Sequence, residues 1–267
     1  MCRLLGVSRG GYYAWRDRPG SFQQAYNGLI VDEMHKIHKE VKEVYGSPRM
    51  AVELRNRGYS RCENTIAKLM QAQGIRAKMD KRYKPRQWQK GSKLAKKNLL
   101  AEMPLPPLPH EVWVADFTYT CHRGRFVYLS TIMDLCTRQI VGEDMSETRD
   151  AELIARTFRK ARRRYPEAKP KIFHSDRGIE YANYKISQML EKTSIDQSMS
   201  GKGNCYDNAH MESFFHTYKS EMYYTERFDD LEDFKTKTKQ YLRFYNKKRL
   251  HSSLSYMSPA EYAKSQT

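Results

Sequence analysis

Three acidic residues stand out by their settings. Asp116 lies inside Val112-Trp113-Val114-Ala115-Asp116-Phe117-Thr118-Tyr119, a run rich in strand formers. Asp176 follows the buried-type strand Lys171-Ile172-Phe173-His174-Ser175, in His174-Ser175-Asp176-Arg177-Gly178-Ile179-Glu180-Tyr181, where a strand runs into a turn. Glu212 sits in Gly203-Asn204-Cys205-Tyr206-Asp207-Asn208-Ala209-His210-Met211-Glu212-Ser213-Phe214-Phe215, with Lys219 further along the same helix. Carboxylates are hard oxygen donors and suit Mg²⁺ or Mn²⁺. The 35 residues between Asp176 and Glu212 prove little in a chain with 31 acids; the flanks carry the information.

These side chains need elements to hold them. On an ideal helix Asn208, Glu212 and Lys219 share one face, because offsets of four and seven return to register. Met211, Phe214, Tyr218 and Met222 fall on another, and Asp207 suits the N-cap. Such a helix can bury its apolar stripe while presenting a carboxylate and a lysine to a cleft. Residues 126–133 and 139–144 read as further strands, with Arg123-Gly124 at the first turn and Thr137-Arg138 near the second. Residues 151–165 read as a helix with Leu153, Ile154, Thr157 and Phe158 inside. Three strands, a helix, a strand and more helices is the order of a ribonuclease-H-like sheet, an α/β fold. Asp134, Glu143 and Glu180 are expected to be structural or surface acids. His174 has two readings: it orients Asp176 or touches phosphate, or it is a buried, hydrogen-bonded histidine. Tyr241, Phe244 and Tyr245 at helical spacing are expected in the core or on a docking surface.

Upstream the texture is helical. Ser8 is a serine N-cap before Tyr12, Tyr13 and Trp15. Leu29, Ile30, Met34 and Ile37 recur at helical spacing, and Ser47-Pro48 starts the next helix, which carries Met50, Val52 and Leu54 and ends at Gly58. Ser60-Arg61-Cys62-Glu63 reads as a capping box for a helix with Ile66, Leu69 and Met70 inward, ending at Gly74. Two short helices about a glycine-containing turn fit a helix-turn-helix.

Residues 76–97 hold ten Lys or Arg against one acid, Asp80, with Tyr83 and Trp88 interleaved. Pro104, Pro106, Pro107 and Pro109 then form a stiff spacer. Four parts are expected: a helical DNA-binding region over 1–75, a basic and Pro-rich linker over 76–110, a catalytic core over 111–225, and a helical extension over 226–267. With 48 Lys or Arg against 31 Asp or Glu, the net charge of +17 points to a polyanion, nucleic acid first and an anionic membrane surface second. Candidate DNA contacts are Arg61, Lys68, Lys81, Arg82, Lys84, Arg86, Lys96 and Lys97, beside Asn208 and Lys219.

The five cysteines, Cys2, Cys62, Cys121, Cys136 and Cys205, are odd in number and irregularly spaced, so a reducing cytoplasm fits and a disulfide framework does not. No cysteine pair completes a zinc site with His35 and His38, which read as helix-surface histidines. No stretch reaches the roughly 18 apolar residues of a membrane span, and no secretory signal opens the chain.

From about residue 24 to 262 the chain resembles a transposase of the insertion sequence 3 family, whose catalytic core is shared with retroviral integrases. The segments around Asp116, Asp176 and Glu212 match, as does the tail Tyr245-Asn246-Lys247-Lys248-Arg249-Leu250-His251-Ser252-Ser253-Leu254 followed by Ser258-Pro259. The zinc module that opens retroviral integrases is absent from the sequence. The resemblance implies that Asp116, Asp176 and Glu212 form a D-D-35-E triad for two divalent ions, Mg²⁺ or Mn²⁺, and that Lys219 contacts donor-end DNA. Asp116 is then expected to bridge the two ions. Two hard cations about 4 Å apart stabilise the entering and leaving oxygens of a phosphodiester transfer. The resemblance further implies inverted-repeat ends, attack by a 3′-hydroxyl, a circular intermediate, at least a dimer, and fusion or association with an upstream reading-frame product. Two rivals remain: a DNA-binding regulator with an inactive core, and a structure-selective ribonuclease-H-like nuclease.

Overall fold

A computed structural model describes residues 2–78, 96–100, 103, 108–122, 124–201 and 208–266. Most of the basic run, with Lys81, Arg82, Lys84 and Arg86, lies outside the described residues, as do Lys202, Gly203, Cys205 and Asp207. The chain divides into two units, Met1–Ala77 and Lys78–Thr267. No helix among the described residues is long and apolar enough to cross a membrane.

The first unit holds four helices: α1 (Arg9–Arg16), α2 (Phe22–Glu40), α3 (Ser47–Asn56) and α4 (Glu63–Ala72). Ser8 caps α1 as expected, accepting the Gly11 N–H at 2.9 Å. A capping box that the sequence reading missed, Ser21 with Gln24, starts α2. Ile30, Met34 and Ile37 are buried, whereas Leu29 is 56% exposed: it lies one position, about 100°, off their stripe. The capping box expected at Ser60 is not formed. Its N–H donates to the Tyr26 hydroxyl at 3.2 Å, and the helix starts only at Glu63, behind Cys62. Gly58 and Gly74 follow α3 and α4 at φ +88 and +68, in the left-handed region that ends helices. Arg57 ties α2 to α3 through Glu33 (2.8 Å), Glu40 (2.6 Å) and Glu53 (3.0 Å).

The second unit is α/β. Its elements are β1 (Val112–His122), β2 (Arg125–Asp134), β3 (Ile140–Ser146), α5 (Ala151–Arg164), β4 (Ile172–Ser175), α6 (Tyr184–Glu191), β5 (Asp196–Met199), α7 (Ala209–Tyr218), a π-turn (Lys219–Tyr223), α8 (Leu231–Lys247) and α9 (Pro259–Ser265). The five strands run β3-β2-β1-β4-β5, with β1 to β3 antiparallel and β4 and β5 parallel to β1. This is the ribonuclease-H-like mixed sheet that the element order predicts. One strand was not foreseen: Asp196-Gln197-Ser198-Met199 is short and polar, and its pairing with β4 makes it a strand.

One face of the sheet buries Trp113, Ala115, Ile132, Val141 and Phe173 against Ile154, Phe158 and Ala161 of α5 and Ile186 and Leu190 of α6. Gly142 lets α5 close in, since a Cβ there would lie 2.8 Å from both the Ala161 Cβ and the Thr157 carbonyl. α7 packs against β1 and α8 against β3. α7 buries Met211, Phe214, Phe215 and Tyr218, and the Phe214 and Tyr245 rings meet edge-on at 4.9 Å. The Asn246 carboxamide takes the Ile140 N–H at 2.9 Å and gives to the Ile140 carbonyl at 2.8 Å, fastening α8 to β3. Tyr241, Phe244 and Tyr245 are core residues.

Candidate active site

Strand register sets the first two acids side by side. β1 and β4 pair in parallel from Val112–Ile172 to Ala115–Ser175. The next residue on each is an aspartate, Asp116 and Asp176, and neighbouring strands lie about 4.8 Å apart. Trp113 and Ala115 point into the α5–α6 core, so the pleat turns Asp116 to the opposite side.

Asp116 is half-buried and its Oδ1 accepts the Phe117 N–H at 2.7 Å. Burial above all holds its carboxyl well above the usual carboxylate range. The negative charges of Asp176 and Glu212 push the same way, against the Phe117 N–H and Arg149. Asp176 accepts the Gly178 N–H at 2.9 Å, a turn tight enough that a Cβ on Gly178 would stand 2.9 Å from that same Oδ1. Burial raises Asp176 too, partly offset by the Gly178 N–H and Arg149. Glu212 is exposed on the first turn of α7, and its carboxyl is raised by the surface it does lose to water. Lys219 is half-buried, with Nζ 5.2 Å from the centre of the Tyr119 ring. Burial lowers its pKa while Asp116 pulls it up.

The reading from sequence missed several neighbours. Arg149 bonds Glu180 at 2.8 Å, lies over the Phe117 ring at 5.3 Å, and acts on both aspartates. Thr131 is the cross-strand partner of Asp116 in β2, and Tyr181 feels the charges of Asp116 and Asp176. The Thr131 Oγ1, the Tyr181 hydroxyl and Asn208 Oδ1 are buried without a hydrogen-bond partner among the described residues. The motif around Asp176 does contain Tyr181, but nothing in the local sequence marks Arg149 or Thr131.

Among the described residues, no group of three Asp, Glu, His or Cys stands close enough together to hold an ion as a finished cage. Asp116 and Asp176 are the near pair; Glu212 acts on Asp116 more weakly. The donors on offer are all oxygens, several of them unsatisfied, which suits a hard divalent cation.

Of the other candidates, Asn208 is buried as the residue before α7, with no side-chain cap bond. Arg61 lies over the Tyr26 ring at 4.2 Å, and Lys68 is exposed on α4; both belong to the first unit. Lys96 and Lys97 are exposed beside β5, where the Met199 N–H donates to the Lys97 carbonyl at 3.3 Å. His174 follows its second reading: it is fully buried between Ser198 (2.8 Å) and Ser200 (3.2 Å). Asp134 is a structural acid, accepting the His110 and Thr137 N–H groups, and Glu143 pairs with Arg164.

Fold and sequence together define an integrase-core protein with a helix-turn-helix-like region. Integrase core domain models match residues 106–205 and 193–259, and an HTH-like domain model matches residues 27–83. A 31 kDa protein of insertion element IS600 from Shigella sonnei is 34% identical, over 98% of this chain and 97% of its own length. The transposase InsF for insertion sequence IS3A from Escherichia coli (strain K12) is 32% identical, over 98% and 92%. Among solved structures, the HTLV-2 integrase catalytic core in complex with magnesium is 15% identical, covers 58% of this chain and 97% of its own, and superposes with a TM-score of 0.43. The chain belongs to the insertion sequence 3 family of transposases.

Proposed function

We propose that this chain cuts DNA at the ends of an insertion sequence and joins those ends to target DNA by attack of a 3′-hydroxyl on a phosphodiester. The observation that carries the proposal is the rung after Ala115–Ser175, which sets Asp116 beside Asp176 while Glu212 acts on Asp116 from α7. Carboxylates brought together around a site repel one another unless cations sit among them. Asp116, Asp176 and Glu212 would hold two Mg²⁺ or Mn²⁺ ions, which supply charge stabilisation at the entering and leaving oxygens.

The chain's own residues do the rest. Lys219, whose ammonium lies over the Tyr119 ring and is favoured by the Asp116 charge, meets a phosphate of the donor end. Arg149, held by Glu180, steadies the Asp176 turn and moderates the negative potential there. Water or a DNA 3′-hydroxyl attacks directly, so no side chain forms a covalent intermediate. Arg61 and Lys68 contact DNA through the helical region. Lys81, Arg82, Lys84, Arg86, Lys96 and Lys97 track phosphates. The four-part division into helical region (1–75), linker (76–110), core (111–225) and extension (226–267) assigns end binding, tracking, chemistry and support in that order. The enzyme acts as at least a dimer, in the bacterial cytoplasm near the nucleoid, and works with or fused to an upstream reading-frame product.

The test is strand transfer on a duplex carrying an element end, with Mg²⁺. Asp116→Asn, Asp176→Asn and Glu212→Gln are each expected to reduce product to background while end binding persists. Product at the parental level from any of the three would refute the assignment.

A further inference from the structure

The tail Tyr245-Asn246-Lys247-Lys248-Arg249-Leu250-His251 supplies no group to the acidic site, yet part of it is buried beside the turn that carries Lys219. α7 passes without a break into a π-turn, in which the Tyr224 N–H bonds the Lys219 carbonyl at 2.9 Å, five residues back. Such wide turns recur at functional positions because they re-aim the residue where the register changes. Here that residue is Lys219.

The turn is pinned at two points. Tyr223 fastens it to β1: its hydroxyl accepts the Cys121 N–H at 3.0 Å and donates to the Cys121 carbonyl at 2.8 Å. Glu221 fastens it to the tail. Glu221 continues the buried spacing of Phe214 and Tyr218, where an apolar residue would be expected, and its side chain is 0% exposed. Arg249, itself 5% exposed, grips it with two prongs, Nη2 to Oε1 at 2.6 Å and Nε to Oε2 at 2.8 Å. The Tyr241 hydroxyl adds a third donor at 2.9 Å. A buried ion pair contributes little net stability compared with apolar residues of the same size, and in some proteins its use is to fix one arrangement against its alternatives.

We infer that Arg249 is a positioning residue for Lys219: by gripping Glu221 it holds the π-turn so that the Lys219 ammonium stays over Tyr119 and faces the DNA. The inference rests on the reading of Lys219 as a phosphate contact. It gives Arg249 of the tail a task in substrate binding.

The experiment measures binding of the full chain to a fluorescent element-end duplex across a salt series, with thermal melting alongside. Lys219→Ala is expected to weaken binding and to lower the log–log salt slope by about 0.9, one phosphate contact. Arg249→Lys keeps the charge but loses the two-pronged grip. The pair Glu221→Met with Arg249→Met replaces the ion pair by apolar bulk. Both variants are expected to melt near the parent, to lower the slope by about the same amount, and to lose nothing further when Lys219→Ala is added. A folded variant with the parental slope, or one whose loss adds in full to that of Lys219→Ala, overturns the inference. If the double Met variant does not fold, Arg249→Lys carries the same comparison. If Lys219→Ala itself leaves the slope unchanged, the DNA role of Lys219 is wrong and the inference goes with it. That outcome is distinct from an effect of Lys219→Ala without one of Arg249→Lys.

Discussion

Burial, helped by the charges of Asp176 and Glu212, gives the folded chain a greater hold on the Asp116 proton than the unfolded chain has, and burial does the same at Asp176. A carboxyl raised on folding stabilises the fold fully below its unfolded pKa of about 4, and that contribution is lost as pH rises toward the folded value. In EDTA the melting temperature is therefore expected to fall as pH climbs from about 4 toward neutrality, other groups held equal. Asp116→Asn should remove much of that fall and melt above the parent at neutral pH. Mg²⁺ or Mn²⁺ should restore the parent there and do little for the variant. A melting curve indifferent to both pH and metal would contradict the charge cluster. The sequence singles out the three acids because each lies in a distinctive run of neighbours: β-formers around Asp116, a strand-to-turn break at Asp176, a patterned helix around Glu212. Arg149, Thr131 and the orphaned hydroxyl of Tyr181 were not singled out, because their importance comes from register and from contacts distant in sequence.

Among the elements, β3 and α5 touch through Gly142, which leaves no space for a methyl group between strand and helix. Gly142→Ala is expected to destabilise the fold by about 1–3 kcal/mol, read as a lower denaturant midpoint, because the Thr157 carbonyl and the Ala161 methyl cannot both retreat. Ser21→Ala removes the reciprocal cap of α2 and should destabilise the first unit by about 1 kcal/mol, seen as a small drop in its melting temperature. Long patterned elements were readable from sequence: β1 to β3, α5, and the α7 stripe of Met211, Phe214 and Tyr218. Short or context-made ones were not. β5 exists because β4 offers it a ladder, and the widened turn at Lys219 because partners elsewhere hold it. The Ser60 cap failed for the opposite reason: a sound local signal was overruled by a tertiary bond to Tyr26.

For the molecule as a whole, a net charge of +17 makes salt the natural probe. Affinity for duplex DNA is expected to fall by about 0.9 in log K per unit of log salt for each phosphate neutralised. A flat response would remove the phosphate-tracking role given to the basic linker. The sequence changes from helical to α/β texture after the proline spacer, and the structure divides into units at Ala77. The segment after residue 225 is fastened to the sheet, and Asn246 shows how. Its carboxamide imitates a neighbouring strand and uses up both backbone groups of Ile140, on the outer margin of the sheet, while the Lys97 carbonyl takes the Met199 N–H of β5. An open sheet margin invites another chain to add its own strand, the first step toward irreversible clumping. Molecules crowded together thus find both margins already engaged at these points, and Asn246→Ala should make itself known by light scattering at concentrations where the parent stays clear.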